Sequence, residues 1–148
     1  MRILVAIDGS VAAERAVDLA ATLARDTDGH LTIVNVIAPK DFPLVQLDDY
    51  ARWEHITPLA AMVAFSEERL RVARQRAEAL GARDVESKSL QEIEPDDVAG
   101  SIVEAAQIAA ADIVVIGKRG LGRLAGLILG STSQRIVARA TLPVVVVS

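Results

Sequence analysis

The chain has 148 residues, 51% of them hydrophobic but only 3% aromatic, and a formal net charge of −4. That length suits one domain with a core of Ala, Val, Leu and Ile, and the lack of cysteine excludes disulfides and thiolate metal sites. Scattered Lys and Arg argue against a nucleic-acid partner, no apolar run nears the ~20 residues that span a bilayer, and Arg2 leads into a strand-like run in place of a signal-peptide core, so a soluble cytoplasmic protein without membrane insertion is expected.

Strands and helices alternate along the chain. Ile3 to Ile7 is a short β-branched run that ends at Asp8-Gly9-Ser10, where Ser10 is placed to cap a helix. That first helix, about Val11 to Arg25, lines up Ala13, Ala16, Val17, Ala20, Leu23 and Ala24 on one stripe and stops over Asp26 to Gly29. Leu31 to Ile37 is a second strand. From Pro39 to about Trp53 no regular element is expected, because Pro43 and the Asp48-Asp49 pair break the pattern; Tyr50 and Trp53 are read as packing residues that close this loop over the core. A long charged helix, about Pro58 to Leu80, ends at Gly81.

Val85 to Leu90 is poor in β-formers, which suits a strand at or near a sheet edge. Pro95 is placed in the first turn of the next helix, with Asp96 and Asp97 at its positive end and Val98, Ile102, Ala105, Ala106 and Ala109 on one face. Asp112 to Ile116 forms a fourth strand, about Ser131 to Ala140 a fourth helix, and Val144 to Val147 a fifth strand. No repeat or linker divides the chain. Such alternation implies an α/β domain: a single doubly wound, largely parallel sheet of five strands, with helices on both faces and right-handed crossovers.

The chemistry concentrates after the fourth strand, where Gly117-Lys118-Arg119-Gly120 is followed, nine residues on, by Gly130-Ser131-Thr132. Glycines let a backbone approach a ligand, and a helix opening on two hydroxyls offers N–H and O–H donors to an anion. The spacing fits neither the P-loop nor the G-x-G-x-x-G dinucleotide motif, although Gly117, Gly120 and Gly122 superficially suggest the latter. Gly117-x-x-Gly120-(x)9-Gly130-Ser131 does resemble the nucleotide loop of the ATP-binding branch of the universal stress protein family. Further similarity lies in Ile3-Leu4-Val5-Ala6-Ile7-Asp8-Gly9-Ser10 and in Leu142-Pro143-Val144-Val145-Val146-Val147, so the resemblance covers nearly the whole chain.

The resemblance implies a Rossmann-like, adenine nucleotide alpha hydrolase-like sheet of strand order 3-2-1-4-5. Strands one and four are then neighbours whose connections leave in opposite directions, and ligands in such sheets bind at that switch point. It implies ATP with Mg²⁺ as ligand. Asp8 takes a ribose or adenine donor, Val36 contacts the adenine, Gly117 lies near the ribose, and Gly120, Gly130, Ser131 and Thr132 meet the phosphates. Lys118, Arg119 and Arg123 are candidates to neutralise phosphate charge. It also implies a homodimer paired through Val144-Val147, whose β-branched edge suits a symmetric contact.

Plainer readings stand beside these. The glycines can be turn residues only, Asp8 a capping carboxylate, and Lys118, Arg119 and Arg123 solvated loop charges. His30 and His55 have no second histidine at ligand spacing and no nucleophile beside them, so neither a metal nor a catalytic role is expected. The family implies a short glycine-containing turn before the third of these helices; here the stretch is Gln91-Glu92-Ile93-Glu94-Pro95, acids that either repel phosphate or help hold Mg²⁺. Three functions follow in order: a nucleotide-binding regulatory protein, a protein-interaction module that takes no nucleotide, and a slow ATPase, the last disfavoured because no Walker-type arrangement or activating base is found.

Overall fold

The computed structural model describes residues 1–41, 44–118 and 129–148. The elements run β1 (Arg2–Ala6), α1 (Val11–Asp26), β2 (His30–Ile37), a 3₁₀ turn (Pro39–Asp41), α2 (Leu44–Trp53), α3 (Pro58–Ala79), β3 (Asp84–Gln91), α4 (Val98–Ile108), β4 (Ile113–Gly117), α5 (Ser131–Arg139) and β5 (Val144–Val147). The strands form one parallel sheet in the order β3-β2-β1-β4-β5.

Period-two alternation splits the core into two layers. Ile3, Val5, Leu31, Ile33 and Val115 point to one face, where the alanine stripe of α1 and Leu70, Ala73 and Ala77 of α3 cover them. Leu4, Val34, Val36, Val114 and Ile116 point to the other, under Ala99, Ile102 and Ala106 of α4 and Ile136 of α5. Small side chains on α1 let the helix lie close to the sheet, and Gly117 shows how close. A Cβ there would stand 2.9 Å from the backbone of Ala12 and Ala13, so only glycine fits between β4 and α1. On the solvent side, Arg76 of α3 grips Asp18 of α1 through two nitrogens, at 2.5 and 2.8 Å.

The sheet carries its weakest β-former sequence, Asp84–Gln91, at an edge, where one side of the strand meets water and charged residues cost little. Three expectations fail. The Pro39–Trp53 segment is not irregular: a 3₁₀ turn leads into α2, whose Ala51 is buried with Ile37, Ala61 and Met62. Trp53 does not close over the core either, since it is 83% exposed, while Tyr50 packs at the surface against Phe65 in a tilted pair with ring centroids 5.0 Å apart. Pro95 precedes α4 and does not lie in its first turn. Asp96 takes a left-handed φ of 61°, and Asp97 becomes the N-cap, accepting Gly100 N–H at 3.1 Å.

Candidate functional site

β1 and β4 lie side by side at the centre of the sheet, in register from Ile3–Ile113 to Ala6–Ile116. Their connections diverge, to α1 on one face and α5 on the other, which opens a crevice at their carboxyl ends. The β1–α1 connection forms one wall. Ser10 N–H donates to Asp8 Oδ1 at 3.0 Å, an Asx turn, and Ser10 Oγ accepts Ala13 N–H at 3.2 Å as the α1 N-cap. Gly9 bridges the two with φ of 84°, and the Arg69 side chain of α3 lies over it, its Nε 3.0 Å from where a Cβ would be. The half-buried Asp8 carboxylate spends one oxygen on its own turn. Among the described residues no bond engages the other.

The second wall begins at Gly117, whose carbonyl accepts the Ser133 hydroxyl at 2.9 Å; Lys118 N–H then bonds the Val147 carbonyl of β5. Gly130 N–H donates to the Lys118 carbonyl at 2.9 Å, so the two ends of the Lys118–Gly130 connection are held together. Gly130 is also the N-cap of α5 and has no side chain to offer. It therefore gives the first N–H groups of α5 no side-chain acceptor, and Ser131 is exposed with Thr132 half exposed beside them. Ser133, which sequence reading passed over, is buried and ties this helix start to the end of β4. Its signal was a third hydroxyl in the run Ser131-Thr132-Ser133.

Asp8, Gly117, Lys118, Gly130, Ser131 and Thr132 thus belong to elements that meet at one end of the sheet. Val36 lies on β2 at the same end, its side chain buried under the α4 layer. Arg119, Gly120 and Arg123 lie outside the described residues. Of the acids before α4, Glu92 accepts Asp96 N–H at 3.3 Å on one oxygen, while Asp96 and Asp97 are committed elsewhere. Asp97 accepts Arg139 Nη1 on both oxygens, at 2.6 and 2.8 Å, and the Arg139 hydrogen bond, then that of Gly100 N–H, holds its carboxyl below the usual range. Arg135 Nη1 reaches the Asp96 carbonyl, and Lys40 lies 3.8 Å from the Asp96 carboxylate. The Asp97 carboxylate thus pairs with the last turn of α5, not with its N-terminus. Among the described residues no three His, Asp or Glu side chains form a metal cluster. His30 opens β2 at the opposite end of the sheet, with Nδ1 2.9 Å from Asp84 and Nε2 3.7 Å from Glu86.

The model of the universal stress protein family matches residues 1–148. The chain belongs to the universal stress protein family. A putative universal stress protein of Staphylococcus aureus strain USA300 is 34% identical over 149 residues, covering 98% of this chain and 82% of its own. A universal stress protein of Mycolicibacterium smegmatis is 33% identical over 98% of this chain, and the chain spans about half its length, 47%. Among solved structures, a universal stress protein in complex with cAMP superposes with a TM-score of 0.68 at 28% identity, over 99% of this chain and 95% of that one. The doubly wound sheet is therefore a universal stress protein fold, and no helix among the described residues is long and apolar enough to cross a membrane.

Proposed function

We propose that this universal stress protein is a nucleotide-dependent regulatory protein that binds ATP, with Mg²⁺, in the crevice between β1 and β4. The observation that carries the reading is the convergence there of a half-used carboxylate, Asp8, and an uncapped helix start, Gly130-Ser131-Thr132, pinned to β4 through Lys118 and Ser133. A nucleotide has the matching polarity: hydroxyl and amino donors on the nucleoside for Asp8, and anionic oxygens for the N–H and O–H groups of α5. The relative solved with cAMP supports an adenine ligand. Lys118, with Arg119 and Gly120 from the adjoining segment, completes the phosphate end, and Val36 the adenine end. Mg²⁺ would arrive on the phosphates, which suits a site without a carboxylate cage among the described residues.

Occupancy, and not turnover, is the function in this reading. His30 is engaged at the far end of the sheet, and among the described residues no group of three His, Asp or Glu side chains gathers to hold a metal of its own. The protein acts as a homodimer joined through β5, whose four valines are all half exposed and alternate between the two helical layers. Light scattering of a Val145→Asp variant should give half the mass of wild type, whereas Lys88→Ala on the opposite edge should leave it unchanged. A monomeric wild type would refute the dimer.

Isothermal titration with Mg·ATP, using nucleotide-free wild type and a Gly130→Ala, Ser131→Ala double variant, tests the main reading. Saturable binding that the variant loses supports it. A folded wild type that takes up neither ATP, AMP nor a cyclic nucleotide leaves the interaction module without nucleotide as the function of this fold.

A further inference from the structure

β2 is a mostly apolar strand that buries two polar side chains, Thr32 and Asn35. Asn35 lies in the run Leu31 to Ile37 at 2% exposure, on the face covered by α1 and α3, and its amide oxygen Oδ1 is buried with no hydrogen-bond partner among the described residues. A buried orphan acceptor costs stability, so the side chain must return something for its place. Its Nδ2 does so, donating to the carbonyl of Ile7 at 2.7 Å.

That carbonyl is the last backbone group before Asp8. The parallel ladder between β1 and β2 continues past Ala6–Val34 by one bond, Ile7 N–H to the Val34 carbonyl. In a parallel ladder each residue bonds its neighbour's two flanking positions, so the next rung would run from Val36 N–H to the Ile7 carbonyl. Among the described residues that carbonyl takes the Asn35 side chain in place of Val36 N–H. One side-chain amide thereby ends the ladder, satisfies a buried carbonyl that the turning chain would otherwise strand, and leaves the Val36 N–H out of the sheet at the carboxyl end of β2.

We infer that Asn35 is a positioning residue for the nucleoside end of the site. It fixes the peptide that carries Asp8 and ends the β1–β2 ladder just before that residue. This rests on the nucleotide reading above for its ligand but not for its geometry. Asn35 does not touch the phosphate end, which Gly130, Lys118 and Ser133 hold separately. Its loss should therefore weaken adenosine and ATP by the same factor.

The test uses Asn35→Leu, of similar volume, which removes both the donor and the orphan oxygen, with Asn35→Ala as second variant should leucine not fit. In ligand-free protein, amide hydrogen exchange at Asp8, Gly9 and Ser10 should accelerate at least ~10-fold while the α4 and β4 amides keep wild-type protection. In titrations, affinity for adenosine and for Mg·ATP should each fall ~10-fold or more, with their ratio held. Unchanged exchange in the turn, or unchanged affinity in a folded variant, overturns the inference while wild-type binding still stands. Loss of ATP affinity alone also overturns it, since that would place Asn35 at the phosphates. Faster exchange in the turn together with a wild type that binds no nucleotide would uphold the positioning and sink the function.

Discussion

Two turns at the carboxyl end of the sheet bring an aspartate to the start of a helix, and the two carboxylates meet opposite fates. In the β1–α1 turn the capping is done by Ser10, and Asp8 gives a single oxygen to the turn. In the β3–α4 turn Asp97 is itself the cap and is gripped on both oxygens by Arg139. A carboxylate consumed by its own fold stabilises; one relieved of that duty by a neighbouring hydroxyl keeps capacity for a ligand. The serine beside it leaves Asp8 one oxygen that no bond among the described residues engages.

Substitutions should separate the pair. Asp8→Ala removes a charged acceptor worth about 1.5–3 kcal/mol to each ligand donor, so affinity for Mg·ATP should fall about 30-fold, with little change in the melting temperature. Equal affinity in calorimetry would place Asp8 with Asp97 as a turn residue. Asp97→Ala should do the reverse, lowering the melting temperature by roughly 5 °C through loss of the α4 cap, with nucleotide affinity unchanged.

A finer distinction comes from pH. The Asp97 carboxyl is held below its unfolded value by Arg139 and Gly100 N–H, so its contribution is complete above the unfolded pKa and is lost as pH falls through the folded one. The stability of wild type relative to Asp97→Asn should thus be greatest near neutrality and shrink below about pH 4, as urea melts at several pH values would register. Lys40→Ala, which removes only the exposed contact to Asp96 at 3.8 Å, should change neither stability nor binding measurably.

Much of this was legible from residues alone. The β-branched runs and the alanine stripe of α1 specified their elements, and the poverty of β3 in β-formers marked an edge. The order of the strands came from family resemblance, because no local pattern encodes which strands pair. α2 escaped because Pro39, Pro43 and two adjacent acids outweigh, in a local reading, the contact that Ala51 makes with Ile37 and Ala61. Asp97 was read as a charge near a helix dipole, since its partner Arg139 lies far along the chain. Gly117 looked like a ligand approach, and the nearest obstacle to a Cβ proved to be the α1 backbone. Asn35 stood out only as a polar residue in an apolar run; its partner was not legible, since the bond goes to a main-chain carbonyl, a group every residue has.

The four aromatic residues, Phe42, Tyr50, Trp53 and Phe65, all fall within one short stretch of the chain. The single tryptophan rides at the end of α2, almost wholly in water. Fluorescence and near-ultraviolet dichroism of this protein are therefore local instruments, reporting on α2 and the first half of α3 while the sheet and the carboxyl ends of β1 and β4 stay optically dark. An emission change on adding nucleotide, which does not itself fluoresce, would be read as motion of that helical pair. A thermal melt followed at Trp53 beside one followed by peptide-bond dichroism would tell whether the pair comes away before the sheet does.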